Sequence, residues 1–530
     1  MSEWEKRSTY FWLCLALLVI SLSSCANPDN YSPTHVKNSV TGQVKPSPTS
    51  TPDELSRCKG KDASTTNDGK IHVLVDKSCS ATSQFALGVT HVNNEAVLPP
   101  ESKGSDSSND VRSLLRTSVS YQNTHIMGWG LPDPWPDPAS PDPTNWSALD
   151  SRVQLAVDTG STPVLSLDEA PWWMKGSPLS GGKARTLTSA QEWSSAAYET
   201  RILDNKMDAW LHLVQRTAER YMAPPYNVRY FQVWNELKGY YNPGINNYDF
   251  TTSPGNPNGV HANHGYTYMY NQVYSTIMKV AQTQGISTDS VKIGGPYVFM
   301  DVWSAKQPSN PSNLIKPYGT FDQRPFDVIE YWLQHKVGAG FITVDSSIEN
   351  REERSTGNLA ANPFVASEKF ADVVKWIHSL DPAVYSGSTT LPVWFAEWFS
   401  YPRNDVLNAA YDNALKSYTM IEFLKAGGAV ALAWGESGDG WSDKGLWTTS
   451  YAGSAQPEPW YYSASSLKSD FAPGTKIYST TVSAPDQVEA LASDKKLMLV
   501  NKTKVSVTVD VNGQSVLLTP YQVKVVSYAG

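Results

Sequence analysis

The sequence predicts a (β/α)8 TIM barrel with a C-terminal β-sandwich-like domain, and three observations carry that prediction. From Phe85 onward, eight short runs rich in β-branched and aromatic residues alternate with longer helical patterns. No glycine-rich phosphate loop follows the first run, which disfavours a doubly wound nucleotide-binding sheet; Gly294-Gly295-Pro296 is a turn signal without that context. Beyond 457 the helical patterns stop and short apolar runs follow one another.

The barrel runs are 85–91, 124–129, 163–168, 228–236, 291–296, 341–345, 392–398 and 429–436. Between them lie helix-like stretches at 148–157, 206–221, 266–283, 326–337, 367–380 and 406–426. Eight strands over roughly 350 residues fit a barrel with enlarged loops. The final runs are 488–491, 497–500, 505–511, 515–518 and 523–527, with Asn512-Gly513 as a hairpin turn. They are few for a stand-alone core, so this domain is expected to pack on the barrel and to take in an N-terminal strand.

At the N-terminus, Lys6 and Arg7 precede an apolar stretch from Tyr10 to Leu22, and the chain turns polar after Leu22-Ser23-Ser24-Cys25. This reads as an export signal too short to span a bilayer in the mature protein. Its ending resembles the bacterial lipobox, which implies acylation of Cys25 and a membrane attachment only through that lipid; an ordinary secretory signal is the other reading. Residues 26–54 carry almost nothing to bury and read as a tether. In an oxidising compartment the two remaining thiols, Cys58 and Cys79, are expected to pair, closing a hairpin around Ile71-His72-Val73-Leu74-Val75. The expected divisions are therefore 1–25 signal, 26–54 tether, 55–80 hairpin, 81–456 barrel and 457–530 β-domain, in a protein exported to the cell surface or secreted.

The 530 residues exceed the size at which a single core stops growing, about 250–300 residues. A hydrophobic share of 40% against 18% charged describes a globular chain. Lys and Arg number 43 against 51 acidic residues, a balance of −8 that argues against a nucleic-acid partner. The 19 Trp, 27 Tyr and 14 Phe often stand beside Asn, Asp and Gly, a pairing of flat rings with polar groups that suits a sugar. Four cysteines without a repeated short spacing make no zinc site, and His261 and His264 have no third ligand in view. No metal or other cofactor is expected.

In a barrel of this kind reacting groups sit at the C-terminal strand ends. The fourth run ends Trp234-Asn235-Glu236 and the seventh Ala396-Glu397-Trp398, so each brings one glutamate to a strand exit. Two carboxyl groups facing one another there suit glycosidic cleavage: one delivers a proton to the departing oxygen, the other stays ionised at the anomeric carbon. These motifs resemble the clan A glycoside hydrolases. Val291-Lys292-Ile293-Gly294-Gly295-Pro296 and the C-terminal domain, with Leu518-Thr519-Pro520-Tyr521, look most like family 39.

The resemblance implies Glu236 as general acid/base, Glu397 as nucleophile, Asn235 as the amide beside the reacting carbon and Trp434 as an aromatic floor. It also implies a retaining mechanism on oligo- or polysaccharides, with xylosidase-like exo action ahead of endo cleavage. Glu436 is a rival carboxylate at the eighth strand end, and His91, His125, Trp129, Trp172 and Tyr240 are candidate pocket residues. One departure stands out: the family's aromatic hydroxyl at the sixth strand end is replaced by Val344-Asp345-Ser346-Ser347. Two other function classes remain open, a carbohydrate-binding surface lipoprotein without turnover and a metal-dependent hydrolase; nine scattered histidines disfavour the latter.

Overall fold

The computed structural model describes residues 68–94, 96–97, 107–178, 184–253, 264–304, 306–352, 362–399, 408–435, 445–447 and 455–528. The expectations for Cys25, the tether, Cys58, His261 and Glu436 fall outside them.

Eight parallel strands close into a barrel: β1 (Ala86–Thr90), β2 (Tyr121–His125), β3 (Thr162–Leu167), β4 (Tyr230–Val233), β5 (Lys292–Phe299), β6 (Phe341–Ser347), β7 (Val393–Phe399) and β8 (Val430–Trp434). β8 returns to β1, with Val430 opposite Ala86 and Trp434 opposite Thr90. The second run is displaced from its expected place at 124–129, because the chain leaves the sheet after His125 and Gly128 and Leu131 bridge one another in a tight turn.

One long helix follows each strand, in order Ser107–Ser118, Ser147–Asp158, Met207–Met222, Tyr266–Thr283, Gln323–His335, Lys369–Ser379, Ala409–Lys425 and Pro459–Asp470. Met207–Met222 shows why they form: Trp210, Leu213, Val214, Thr217, Ala218 and Tyr221 recur at three and four residues and are all buried, so one stripe lies on the barrel. The last helix corrects the expectation that helical structure ends near 457. It packs against Ser107–Ser118 and Ala409–Lys425 and completes the barrel wall. Its start is a proline at the first helical turn, where a missing N–H costs nothing.

The barrel interior is layered. At the N-terminal end Tyr121, Tyr230, Phe341 and Trp394 meet ring to ring, with Phe341 and Trp394 stacked at 4.0 Å between centroids. Above them β1 to β4 contribute a hydrogen-bonded layer: Asn123 donates to Thr90, Ser166 donates to Asn123, and Gln232 donates to Ser166. Loops on the opposite, C-terminal end carry small sheets of their own, at Lys175–Pro178 with Ala184–Thr186 and Arg201–Ile202, at Tyr241–Asn242 with Asn247–Tyr248, and at Val302–Trp303 with Pro311–Lys316 and Gly319–Asp322.

Beyond the barrel a single seven-stranded sheet runs in the order Gln514–Leu518, Val507–Val511, Ile71–Thr82, Lys476–Val482, Val488–Ser493, Lys496–Asn501, Val523–Ser527. One face shares the barrel's core through Ile477, Leu491, Met498 and Val500, and the other gathers a second cluster around Val73, Val488, Leu497 and Val509. Ile71–Thr82 runs parallel to Val507–Val511 and antiparallel to Lys476–Val482. The second ladder skips from Asp76 to Ser80, leaving Cys79, which is disulfide-bonded, outside the register. Among the described residues no helix is long and apolar enough to cross a membrane.

Candidate active site

Strand alternation alone would not bring the two glutamates together. On β7, Trp394 points into the barrel, so period-two alternation continues with Ala396 inward and Glu397 outward. The ladders to β6 and β8 both shift at this point, from Phe395 to Glu397 and from Phe395 to Trp398. This bulge turns Glu397 inward and sends Trp398 outward, against Phe370 and Trp460 of the helical layer. β5 carries a second irregularity between Pro296 and Val298, with Tyr297 at φ +54°. The close β5–β6 approach there requires glycine: a Cβ at Gly294 would meet Phe341 at 2.1 Å and Thr343 at 2.5 Å. After β4, Trp234, Glu236 and Leu237 all take positive φ.

Left-handed backbone concentrates at this end. Of the non-glycine residues with positive φ, Trp129, Glu169, Trp234, Glu236, Leu237 and Tyr297 all sit at or just beyond the C-terminal ends of barrel strands, whereas four of the remainder are turn asparagines that tolerate it. Each such residue costs on the order of 1–3 kcal/mol, offset by the rigid barrel beneath.

The polar groups brought together are few and close. Glu397, 3% exposed, accepts at Oε1 from Asn235 Nδ2 at 2.9 Å and from the Tyr297 hydroxyl at 2.6 Å. His125 Nε2 lies 4.0 Å from the same oxygen, and its Nδ1 is 2.7 Å from Asp168 Oδ2. Lys238 Nζ donates to Glu236 Oε2 at 2.6 Å and also to Asn235 Oδ1 and the Tyr198 hydroxyl, tying the turn after β4 into one unit. Asp345 on β6 completes the set: one carboxylate oxygen of each of Glu236, Asp345 and Glu397 lies within 4.8 Å of the other two.

Burial governs the electrostatics. Burial and the neighbouring charge of Glu236 push the Glu397 carboxyl well above its ordinary range, and burial followed by Glu397 and Glu236 does the same to Asp345. Two unit charges at 4.8 Å repel by about 3 kcal/mol at an effective dielectric constant near 20, so three full charges here are costly. Burial raises the Tyr297 phenol, keeping it a donor, and pushes His125 down to about 3, keeping the imidazole neutral. Burial alone would lower Lys238, but Glu236, Tyr198 and Glu397 outweigh it and hold the ammonium charged.

Aromatic rings wall this cluster. Trp129 stacks on His125 at 3.8 Å, and Trp434 meets Trp129 edge-on at 5.5 Å and His125 at 6.0 Å. Both indoles are half-buried. Several polar atoms of the site are buried without a side-chain partner: His125 Nε2, Trp129 Nε1, Asp168 Oδ1 and both oxygens of Asp345, although the Glu397 backbone N–H is turned toward Asp345.

Of the residues expected from sequence, Asn235, Glu236, Glu397, His125, Trp129 and Trp434 gather here. Others do not. His91 follows Leu87 and Val89 on the outward face of β1, and its Nε2 bonds Gln122, whose amide reaches Thr159 and Ser161 behind the barrel. Tyr240 is 2% exposed and enclosed by Trp234, Tyr266 and Arg201, so it supports the turn from beneath instead of lining a pocket. Trp172 is half-buried in the turn Trp172–Met174, and among the described residues no ring contact links it to the cluster. Sequence reasoning passed over Tyr297, Lys238 and Tyr198. Tyr297 supplies beside Glu397 the aromatic hydroxyl that the sixth strand lacks, and it directly follows the Gly294-Gly295-Pro296 signal.

No protein-family model matches the chain, and no curated protein matches it. Among solved structures it is similar to a conserved exported protein from Bacteroides fragilis, 11% identical over 86% of this chain and 100% of that one, with a TM-score of 0.56. It is similar also to SrfJ from Salmonella typhimurium, 10% identical over 89% of this chain and 95% of that one, with a TM-score of 0.55. An endo-β-1,6-glucanase is 12% identical over 85% of this chain and 92% of that one, with a TM-score of 0.51. At these identities the likeness establishes a shared fold, the barrel with its appended sheet.

Proposed function

We propose that the protein is a retaining glycoside hydrolase acting on oligo- or polysaccharides. The observation that carries this reading is the Glu236–Glu397 pair at the barrel mouth, with oxygens within 4.8 Å and Glu397 held by Asn235 and Tyr297. Retaining enzymes keep their carboxyl groups about 5–5.5 Å apart, whereas inverting ones need about 6.5–9.5 Å to seat a water between sugar and base. Glu397 attacks the anomeric carbon while Glu236 gives its proton to the departing oxygen. Water, deprotonated by Glu236, then attacks the same carbon and releases Glu397. The unpartnered His125 Nε2 and Trp129 Nε1, with the Trp129 and Trp434 rings, match a ligand with an apolar face and a hydroxyl rim.

Within that class, β-xylosidase-like exo action follows from the resemblance to family 39. Export and acylation at Cys25 belong to the same reading and place the activity outside the cell. The test is a screen of aryl glycosides of several sugars with wild type, Glu236→Ala and Glu397→Ala. Glu397→Ala abolishes turnover on every sugar, and Glu236→Ala loses about 10²–10⁴-fold on poor leaving groups and much less on good ones. Full turnover in Glu397→Ala, or equal losses in Glu236→Ala on both kinds of leaving group, overturns the assignment. Polysaccharide digests scored for monomer against longer products separate exo from endo action.

A further inference from the structure

Three carboxyl groups converge where the proposed reaction uses two. Asp345 has no exposed surface, and neither of its oxygens reaches a donor at bonding geometry among the described residues. Every charged or titratable group facing it has other partners. From β7 comes Glu397, already bonded to Asn235 and Tyr297; from β5, Tyr297 itself; from the turn after β4, Glu236 and Lys238, which bond one another; and beyond them His125 and Asp168, also a bonded pair. The only ammonium in this set is committed to Glu236. Glu397 has two side-chain donors to stabilise a charge, Asn235 and Tyr297, whereas Asp345 has only the Glu397 backbone N–H turned toward it. Of the two, Asp345 is therefore the group that gains most by holding a proton.

We infer that Asp345 is held as a neutral acid between Glu397 and Glu236, and that it acts as a positioning residue whose O–H faces the gap between them and keeps the nucleophile charged and fixed. The inference rests on the glycosidase reading for its consequence but not for its test. A buried carboxyl that stays neutral in the folded state and ionises in the unfolded chain contributes fully to stability below the unfolded value, about 3.9. That contribution is lost as pH rises through the raised folded value. Asp345→Asn keeps the shape and a donor and removes the titration.

Thermal unfolding of wild type, Asp345→Asn and Glu397→Gln is therefore compared from about pH 5 to about pH 8. The Tm advantage of Asp345→Asn over wild type is expected to grow by several degrees across that range, and that of Glu397→Gln to grow less. A flat difference for Asp345→Asn, or equal or greater growth for Glu397→Gln, overturns the inference, because the proton is then absent or on Glu397. On a glycoside found by the screen, Asp345→Asn keeps kcat within about three-fold, and Asp345→Ala loses about 10-fold to 100-fold. Loss of kcat in Asp345→Asn as large as in Asp345→Ala also counts against it. If no glycoside is turned over, the glycosidase reading fails while the unfolding result stands.

Discussion

At the N-terminal end of the barrel Tyr121, Tyr230, Phe341 and Trp394 fill the interior with stacked and edge-on rings. Three or four residues further along the same strands, His125, Asp345 and Glu397 occupy the equivalent inward positions, and the interior changes from packed rings to titratable groups. The lower end keeps strict alternation. The upper end breaks it at β5, β7 and the turn after β4, and carries left-handed residues and unpartnered polar atoms. Regular strands suffice to pack a core, whereas aiming several carboxyl groups at one point needs bulges, and the apolar end supplies the rigidity that holds them.

That contrast is open to test by substitution at each end, beginning with the largest effect. Glu397→Gln is expected to lower kcat by at least about 10³-fold on any substrate, with Tm unchanged or raised, because it removes a buried carboxyl group that Glu236 repels. A large fall in Tm would show that Glu397 supports the fold and would erase the distinction between the two ends. Trp394→Ala should do the reverse. Removing a buried indole costs about 3–5 kcal/mol of stability, read from denaturant unfolding, while kcat of the folded fraction stays near wild type. Tyr297→Phe sharpens the boundary: losing one hydrogen bond to a carboxylate should lower kcat by about 10-fold to 100-fold with little change in Tm. An effect mainly on stability would place Tyr297 with the packing residues.

The sequence is more legible at the lower end than at the upper. The eight strand runs can be read because β-branched and aromatic clustering is a local signal, and Trp234-Asn235-Glu236 can be read because the motif is contiguous. The β7 bulge cannot, since it is a mismatch of register with β6 and β8 that no single strand encodes. For the same reason Tyr297 is hidden: the glycines before it signal a turn, not the strand contact that a Cβ would block. His91 was decidable from alternation, with Leu87 and Val89 marking the outward face of β1. The helix Pro459–Asp470 has a weak apolar stripe, and its leading Pro459 was the available signal. Lys238 stands two residues from Glu236, where a cation beside an acidic motif was visible but its direction was not.

The place of Ile71–Thr82 in the second sheet bears on the order in which the molecule is made. Its partners are Lys476–Val482 and Val507–Val511, some four hundred residues downstream, with the whole barrel between. During synthesis this strand emerges among the first folded elements and finds its neighbours only among the last. Closing so long a loop costs entropy, and a folded barrel, by bringing the two ends near one another, lowers the cost of completing the sheet. Until then the strand carries two unpaired edges, and a chain stopped short of residue 482 would leave them open to another molecule. The beginning of the chain is thus covered only by its end.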